Sequence, residues 1–194
     1  MDTPQKNHQL DAQYWQTFVQ GDREALGWLF RQYYPDLFRY GHKICADTEI
    51  LEDCIQELFI ELWQSKNPPP SISVKAYLLK AMKYKLLKIL RKKNITQLHG
   101  ELPEATIFEI SYEDFIIDQQ DHEDKTGKVV MALNQLTNRQ KEIVYLKFYQ
   151  NLGYEEISEI MNINYQVARN LLHQAVKAMK KILLRQYCLF HFIL

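Results

Sequence analysis

Apolar positions recur at helical spacing along most of the chain, and alternating runs bounded by turn signals are missing. From Asp22 to about Tyr34 the recurring set is Ala25, Leu26, Leu29, Phe30 and Tyr33. Asp22 suits the N-cap of that helix. Pro35 lacks an N–H and is expected to end or kink it. A second helix is expected from about Pro35 to Cys45, carrying Leu37, Phe38 and Tyr40. A third runs from about Glu49 to Gln64, with Leu51, Cys54, Ile55, Leu58, Phe59, Leu62 and Trp63 as its apolar stripe. Its opposite face is acidic: Glu52, Asp53, Gln56, Glu57 and Glu61. Pro68-Pro69-Pro70 cannot continue a helix, so the segment from Ser65 to Ser71 is expected to be a loop. A fourth helix, about Val74 to Lys93, sets Ala76, Leu79, Met82, Leu86 and Leu90 against a basic face.

The final third predicts three or four more helices. Thr137 with Gln140 forms a capping box ahead of Ile143, Val144, Leu146 and Phe148. Asn151 to Gly153 is a turn, and Tyr154 to Met161 a short helix. Asn162 suits a left-handed turn residue. Asn164 then caps a long helix from Tyr165 to about Tyr187. A short helix, a tight turn and a longer basic helix make a helix-turn-helix. Its buried positions are expected at Ile157, Ile160, Ile163, Ala168, Leu172 and Ala175. Gln166, Arg169, Asn170 and His173 are left on the exposed N-terminal face of the second helix. Arg and Asn are common readers of guanine and adenine edges. An ordinary helical hairpin is the alternative.

Charge sharpens this picture. The 194 residues hold 24 basic and 24 acidic groups, and a neutral total by itself argues against nucleic-acid binding. The groups are segregated, however. Residues 1–74 carry 6 basic and 11 acidic groups. Residues 75–93 carry 8 basic groups and no acid, and residues 94–124 carry 9 acids and no base. Residues 125–194 carry 10 basic and 4 acidic groups. Blocks of one sign mark interaction surfaces or solvated segments. The basic 75–93 block also interleaves lysines with Tyr77 and Tyr84, a combination that suits stacked bases and phosphates as well as an amphipathic surface helix.

Signals for catalysis are missing. The six glycines stand alone, the histidines are scattered, and no metal-ligand spacing occurs. Three sparse cysteines, Cys45, Cys54 and Cys188, point to reduced thiols. No signal peptide and no membrane-length apolar run is visible, so a cytoplasmic chain is expected. Neither a cofactor nor a metal nor a small-molecule substrate is expected.

Two segments carry a family resemblance. Asp53-Cys-Ile-Gln56-Glu57-Leu-Phe59-Ile-Glu-Leu-Trp63 resembles the D-x-x-Q-E-x-F-x-x-x-W signature of sigma region 2. The stretch from Leu136 through Arg139, Gln140 and Glu142, then Tyr154-Glu155-Glu156-Ile157 and Asn170-Leu-Leu172-His173, is similar to sigma region 4. Their order and spacing resemble the extracytoplasmic-function (ECF) group of RNA polymerase sigma factors, over roughly residues 10–185.

The resemblance implies an all-α chain with two small domains. Residues 10–94 would form region 2, 95–126 an acidic linker, 127–187 the region 4 helix-turn-helix, and 188–194 an apolar tail. Glu52, Asp53, Gln56, Glu57 and Glu61 would meet the β′ clamp helices of core RNA polymerase. Asn67, Ser71, Ser73, Lys75, Tyr77, Lys80, Lys83 and Tyr84 would contact the −10 element. Tyr165, Gln166, Arg169, Asn170, His173 and Gln174 would contact the −35 element, and region 4 would also meet the β flap. An anti-sigma factor is a further expected partner. The 31 residues of the acidic block 94–124, at full extension, would reach roughly 100 Å. Ile107, Phe108, Ile110, Phe115, Ile116 and Ile117 make the linker less polar than a pure spacer, and a short helix or docked segment is expected inside it. The apolar C-terminal tail is expected to fold back on the last helix, with docking of a partner such as an anti-sigma factor as the alternative. Some positions depart from the family pattern: Tyr84 and Lys88 stand where Asn and Asp are frequent, and Leu171 and Gln174 where Arg is frequent. A helix-turn-helix regulator binding DNA without polymerase is the alternative function. A helical adaptor would leave the basic helices unexplained.

Overall fold

A computed structural model describes residues 4–65, 73–97, 108–110 and 123–191. Among them every regular element is a helix. The chain divides into two compact units, Met1–Glu104 and Ala105–Leu194.

The first unit holds α1 (Pro4–Val19), α2 (Arg23–His42), α3 (Thr48–Gln64) and α4 (Val74–Gln97). Helix α2 packs against the other three, and α4 also touches α1 and α3. Helix α1 is an element that the hydrophobic pattern did not announce. Its sequence is polar, yet Trp15 and Phe18 are buried, and Tyr14 stacks on Trp28 at 3.9 Å between ring centroids. Asp22 caps α2 as expected, its Oδ1 accepting from the Glu24 N–H at 2.8 Å.

Pro35 neither ends nor divides α2, which corrects the expectation of two helices. Proline removes one backbone hydrogen bond. Here Leu29 and Tyr33 before it and Leu37 and Tyr40 after it lie on one buried face. Packing along that continuous face outweighs the local cost. Asp47 caps α3 through the Ile50 N–H at 3.2 Å. The expected α3 stripe is buried from Leu51 to Leu62, while Trp63 stays half-exposed. In α4, Ala76, Leu79, Met82 and Leu86 are buried as expected, Leu90 only partly. Gly41 lets α2 approach its neighbours: a Cβ there would overlap Leu51 Cδ1 and lie 3.2 Å from Met82 Sδ.

The second unit holds α5 (Glu123–Asn134), α6 (Asn138–Phe148), α7 (Tyr154–Met161) and α8 (Tyr165–His191). The capping box at α6 is formed: Thr137 Oγ1 accepts from the Gln140 N–H at 3.3 Å, and Gln140 Oε1 from the Thr137 N–H at 3.1 Å. Asn162 adopts the left-handed conformation at φ 51°. Asn164 Oδ1 accepts from the Val167 N–H at 2.8 Å and so starts α8. Ile157, Ile160, Ala168, Leu172 and Ala175 are buried as expected, and Ile163 is half-buried. Residues 108–110 dock on this unit: Phe108 and Ile110 are buried, and the Phe108 ring meets Tyr145 edge-on at 5.7 Å. Helix α8 continues through residue 187 to His191, so the chain does not turn back at 188. No Gly or Pro stands between 187 and 191 to break it.

Candidate functional surfaces

Helix α3 presents the acidic set along its solvent face. Asp53 and Gln56 are exposed, and Glu52 is half-buried beside Tyr34. Burial raises the pKa of the Tyr34 phenol, and the charge and hydrogen bonding of Glu52 raise it further. Glu57 and Glu61 are exposed, but they do not stand alone. Lys85 of α4 reaches between them, its Nζ 2.9 Å from Glu57 Oε2 and 2.7 Å from Glu61 Oε1. The Lys85 side chain is 16% exposed. Burial lowers its pKa, but the two carboxylates outweigh that by hydrogen bonding and charge, and the net shift is upward. Sequence reasoning missed Lys85 as a member of this surface. Residues 24 and 28 positions apart show their pairing only once α3 and α4 are packed.

Next to the acidic face, α2 and α3 line a shallow, open apolar groove of about 500 Å³. Phe30, Phe59, Ile60 and Trp63 line it, and the Arg23 guanidinium lies 5.6 Å from the Trp63 ring centre.

The residues expected at the −10 element are not equivalent. Asn67 and Ser71 lie outside the described residues. Ser73 is buried, and its Oγ accepts from the Ala76 N–H at 3.3 Å, capping α4. Tyr77 packs edge-on against Trp15 at 5.3 Å, and burial raises its pKa. Lys75 pairs with Asp36 of α2 at 2.8 Å. Ser73 and Tyr77 thus have structural work within the unit. Lys80 and Lys83 are half-exposed, and Tyr84 is exposed.

In the second unit, Tyr165, Gln166, Arg169, Asn170, His173 and Gln174 are all exposed on α8. Ala168, Leu172 and Ala175 anchor the opposite face. The stripe 165–169–173 places a ring, a guanidinium and an imidazole in line at i, i+4 spacing. Arg169 Cζ lies 6.0 Å from the Tyr165 ring centre, and Tyr165 meets Tyr154 of α7 edge-on at 5.7 Å. On the neighbouring stripe, Gln166 Nε2 donates to Asn170 Oδ1 at 3.1 Å. A short helix therefore braces the first turn of a longer one, whose exposed N-terminal face is mostly polar, with Val167 as an exposed apolar residue, and free of acids.

Among the described residues no three metal-ligating side chains converge, and no helix is long and apolar enough to cross a membrane.

Residues 29–95 match Sigma-70 region 2, and residues 126–179 match Sigma-70 region 4. The chain is 23% identical over 172 residues to RNA polymerase sigma factor YlaC of Bacillus subtilis, covering 82% of this chain and 92% of that protein. It is 21% identical over 168 residues to ECF RNA polymerase sigma factor SigK of Mycobacterium ulcerans, covering 85% and 89%. The fold resembles sigma factor RpoE of Bartonella quintana, solved in complex with the anti-sigma factor NepR. That likeness has a TM-score of 0.53 at 19% identity, over 79% of this chain and 93% of that one. The chain belongs to the sigma-70 family, in its extracytoplasmic-function group, and is a sigma factor that binds core RNA polymerase and directs promoter recognition in transcription initiation.

Proposed function

We propose a division of labour between the two units. Residues 10–94 dock on core polymerase and engage the −10 element, residues 127–187 engage the −35 element, and residues 95–126 link them. On this reading Glu52, Asp53, Gln56, Glu57 and Glu61 meet basic groups of the β′ clamp helices. Opposite charge at such a surface steers encounter and fixes register. Lys80, Lys83 and Tyr84 meet the −10 strand, the lysines at phosphates and the ring against a base. Tyr165, Gln166, Arg169, Asn170, His173 and Gln174 enter the major groove at the −35 element. The second unit also meets the β flap.

The observation that carries this reading is the pair of polar faces. The acidic set on α3 and the six-residue set on α8 are each turned away from their own core. The protein acts in the cytoplasm, beside polymerase, and catalyses no reaction of its own. An anti-sigma factor is a further partner, as the structure of RpoE with NepR invites.

Footprinting with reconstituted holoenzyme tests the division. A Lys80→Ala/Lys83→Ala variant is expected to lose strand opening at −10 while protection at −35 persists. Arg169→Ala is expected to weaken protection at −35 first. If both variants lose both footprints in parallel, the division is wrong.

A further inference from the structure

The exposed face of α8 carries two chemistries in parallel stripes. One stripe is Tyr165, Arg169, His173 and Lys177, which is aromatic and basic. The other is Gln166, Asn170 and Gln174, which is made only of amides. The two differ in what they can read. A cation meets any phosphate, whereas a side-chain amide offers one acceptor and one donor side by side.

Within the amide stripe, Gln166 Nε2 donates to Asn170 Oδ1 at 3.1 Å. That bond leaves Asn170 with a second lone pair on Oδ1 and both hydrogens on Nδ2. The Asn170 amide is therefore held in one plane and still has an acceptor and a donor to present. Among base edges in the major groove, adenine alone pairs a donor, N6–H, with an adjacent acceptor, N7. Guanine offers two acceptors there, thymine one acceptor and cytosine one donor. Asn170 is the sixth residue of α8, in the part of a recognition helix that reaches base edges.

We propose that Asn170 reads one adenine of the −35 element through both atoms of its amide, with Gln166 as the positioning residue that fixes the plane of that amide. This rests on the reading of α8 as the −35 helix. Gln166 acts through Asn170, so its loss should loosen discrimination rather than redirect it.

The test is selection of promoter duplexes randomised over the −35 region by reconstituted holoenzyme. The wild-type protein is expected to enrich adenine at one position whose preference depends on Asn170. Asn170→Ala is expected to reduce discrimination there on the order of tenfold, leaving the other positions unchanged. Gln166→Ala should give a smaller, roughly threefold loss at the same position, as a relayed contact is weaker than a direct one. An Asn170→Ala profile that is unchanged, falls evenly at all positions, or changes at a position where another base was preferred overturns the proposal. A Lys177→Ala/Lys181→Ala variant separates this failure from a broader one. Its uniform loss of affinity and shallower salt dependence would place α8 on DNA. If it too has no effect, the −35 reading of the helix fails as well.

Discussion

Lys85 of α4 holds Glu61 of α3 across the helix pair, Nζ to Oε1 at 2.7 Å, and holds Glu57 with the same ammonium group at 2.9 Å. Two carboxylates of the proposed polymerase-docking face are thus tied to the helix proposed to meet the −10 element. Both carboxylates are largely exposed, at 60% and 65%, so solvent screens the pairs. Lys85→Met is expected to cost about 1 kcal/mol, at the upper end for exposed pairs. Urea denaturation followed by tryptophan fluorescence reads it cleanly, because Trp15, Trp28 and Trp63 all lie in the first unit. The folded-state pKa of Lys85 is raised. Its contribution is then complete below the ordinary lysine value of 10.5 and is lost as pH rises through the higher folded value. The stability gap between wild type and Lys85→Met should hold at neutral pH and close in strong alkali. A gap that stays constant there would remove the ammonium charge as its cause.

Gly41 of α2 faces Leu51 of α3 and Met82 of α4. Gly41→Ala places a methyl group on Leu51 Cδ1 and close to Met82 Sδ. Alanine is the better helix former, by about 0.5–1 kcal/mol. Overpacking of a close-packed core costs about 1–3 kcal/mol and is expected to dominate. The same denaturation experiment should show a net loss of stability. A gain would mean that Leu51 moves aside without strain.

Asn162 closes α7 in the left-handed conformation at φ 51°, and the turn then leads into α8. Asn162→Val should cost about 1–2 kcal/mol, because a branched Cβ crowds the backbone there. Asn162→Gly should be close to neutral. Hydrogen exchange of the α7 amides checks this, with protection falling in the valine variant only. Equal protection in the two variants would contradict the geometry.

Cys54 is fully buried between α3 and α4, and its thiol lies 3.9 Å from the Met82 carbonyl oxygen. Burial pushes its pKa up to about 11. The thiolate is the reactive form, so Cys54 should resist alkylation in the native protein at neutral pH. Peptide-resolved mass spectrometry is expected to find it modified after unfolding in urea and unmodified before. Rapid native labelling would mean that the α3–α4 seam opens readily.

Legibility in the sequence followed the range of the interactions. Asp22, the Thr137–Gln140 capping box and Asn162 act within three or four residues, and each marks its helix end as read. The buried face of α8 was legible for the same reason. Helix α1 was not, since its few aromatic residues gain meaning only against Trp28 and Tyr77. The continuity of α2 through Pro35 was hidden because tertiary packing overrode a local breaker. Among the candidate site residues, the exposure of the α8 set followed from helical periodicity. The capping by Ser73, the packing of Tyr77 and the reach of Lys85 depend on contacts between elements, and residue spacing does not encode them.

The acidic face of α3 is the centre of the account, and Asp53 tests it most directly. Glu57→Lys would also disturb the Lys85 pairing, so its effect on docking would be mixed with an effect on stability. Asp53 is exposed on the same face and no core contact is lost with it, so Asp53→Lys is expected to change stability by no more than about 0.5 kcal/mol. The decisive measurement is the affinity of Asp53→Lys for core RNA polymerase, at several salt concentrations and beside wild type. A loss of at least tenfold, shrinking as salt rises, with the fold intact, is the expected result. Unchanged affinity in a folded protein would contradict the assignment of this face to polymerase.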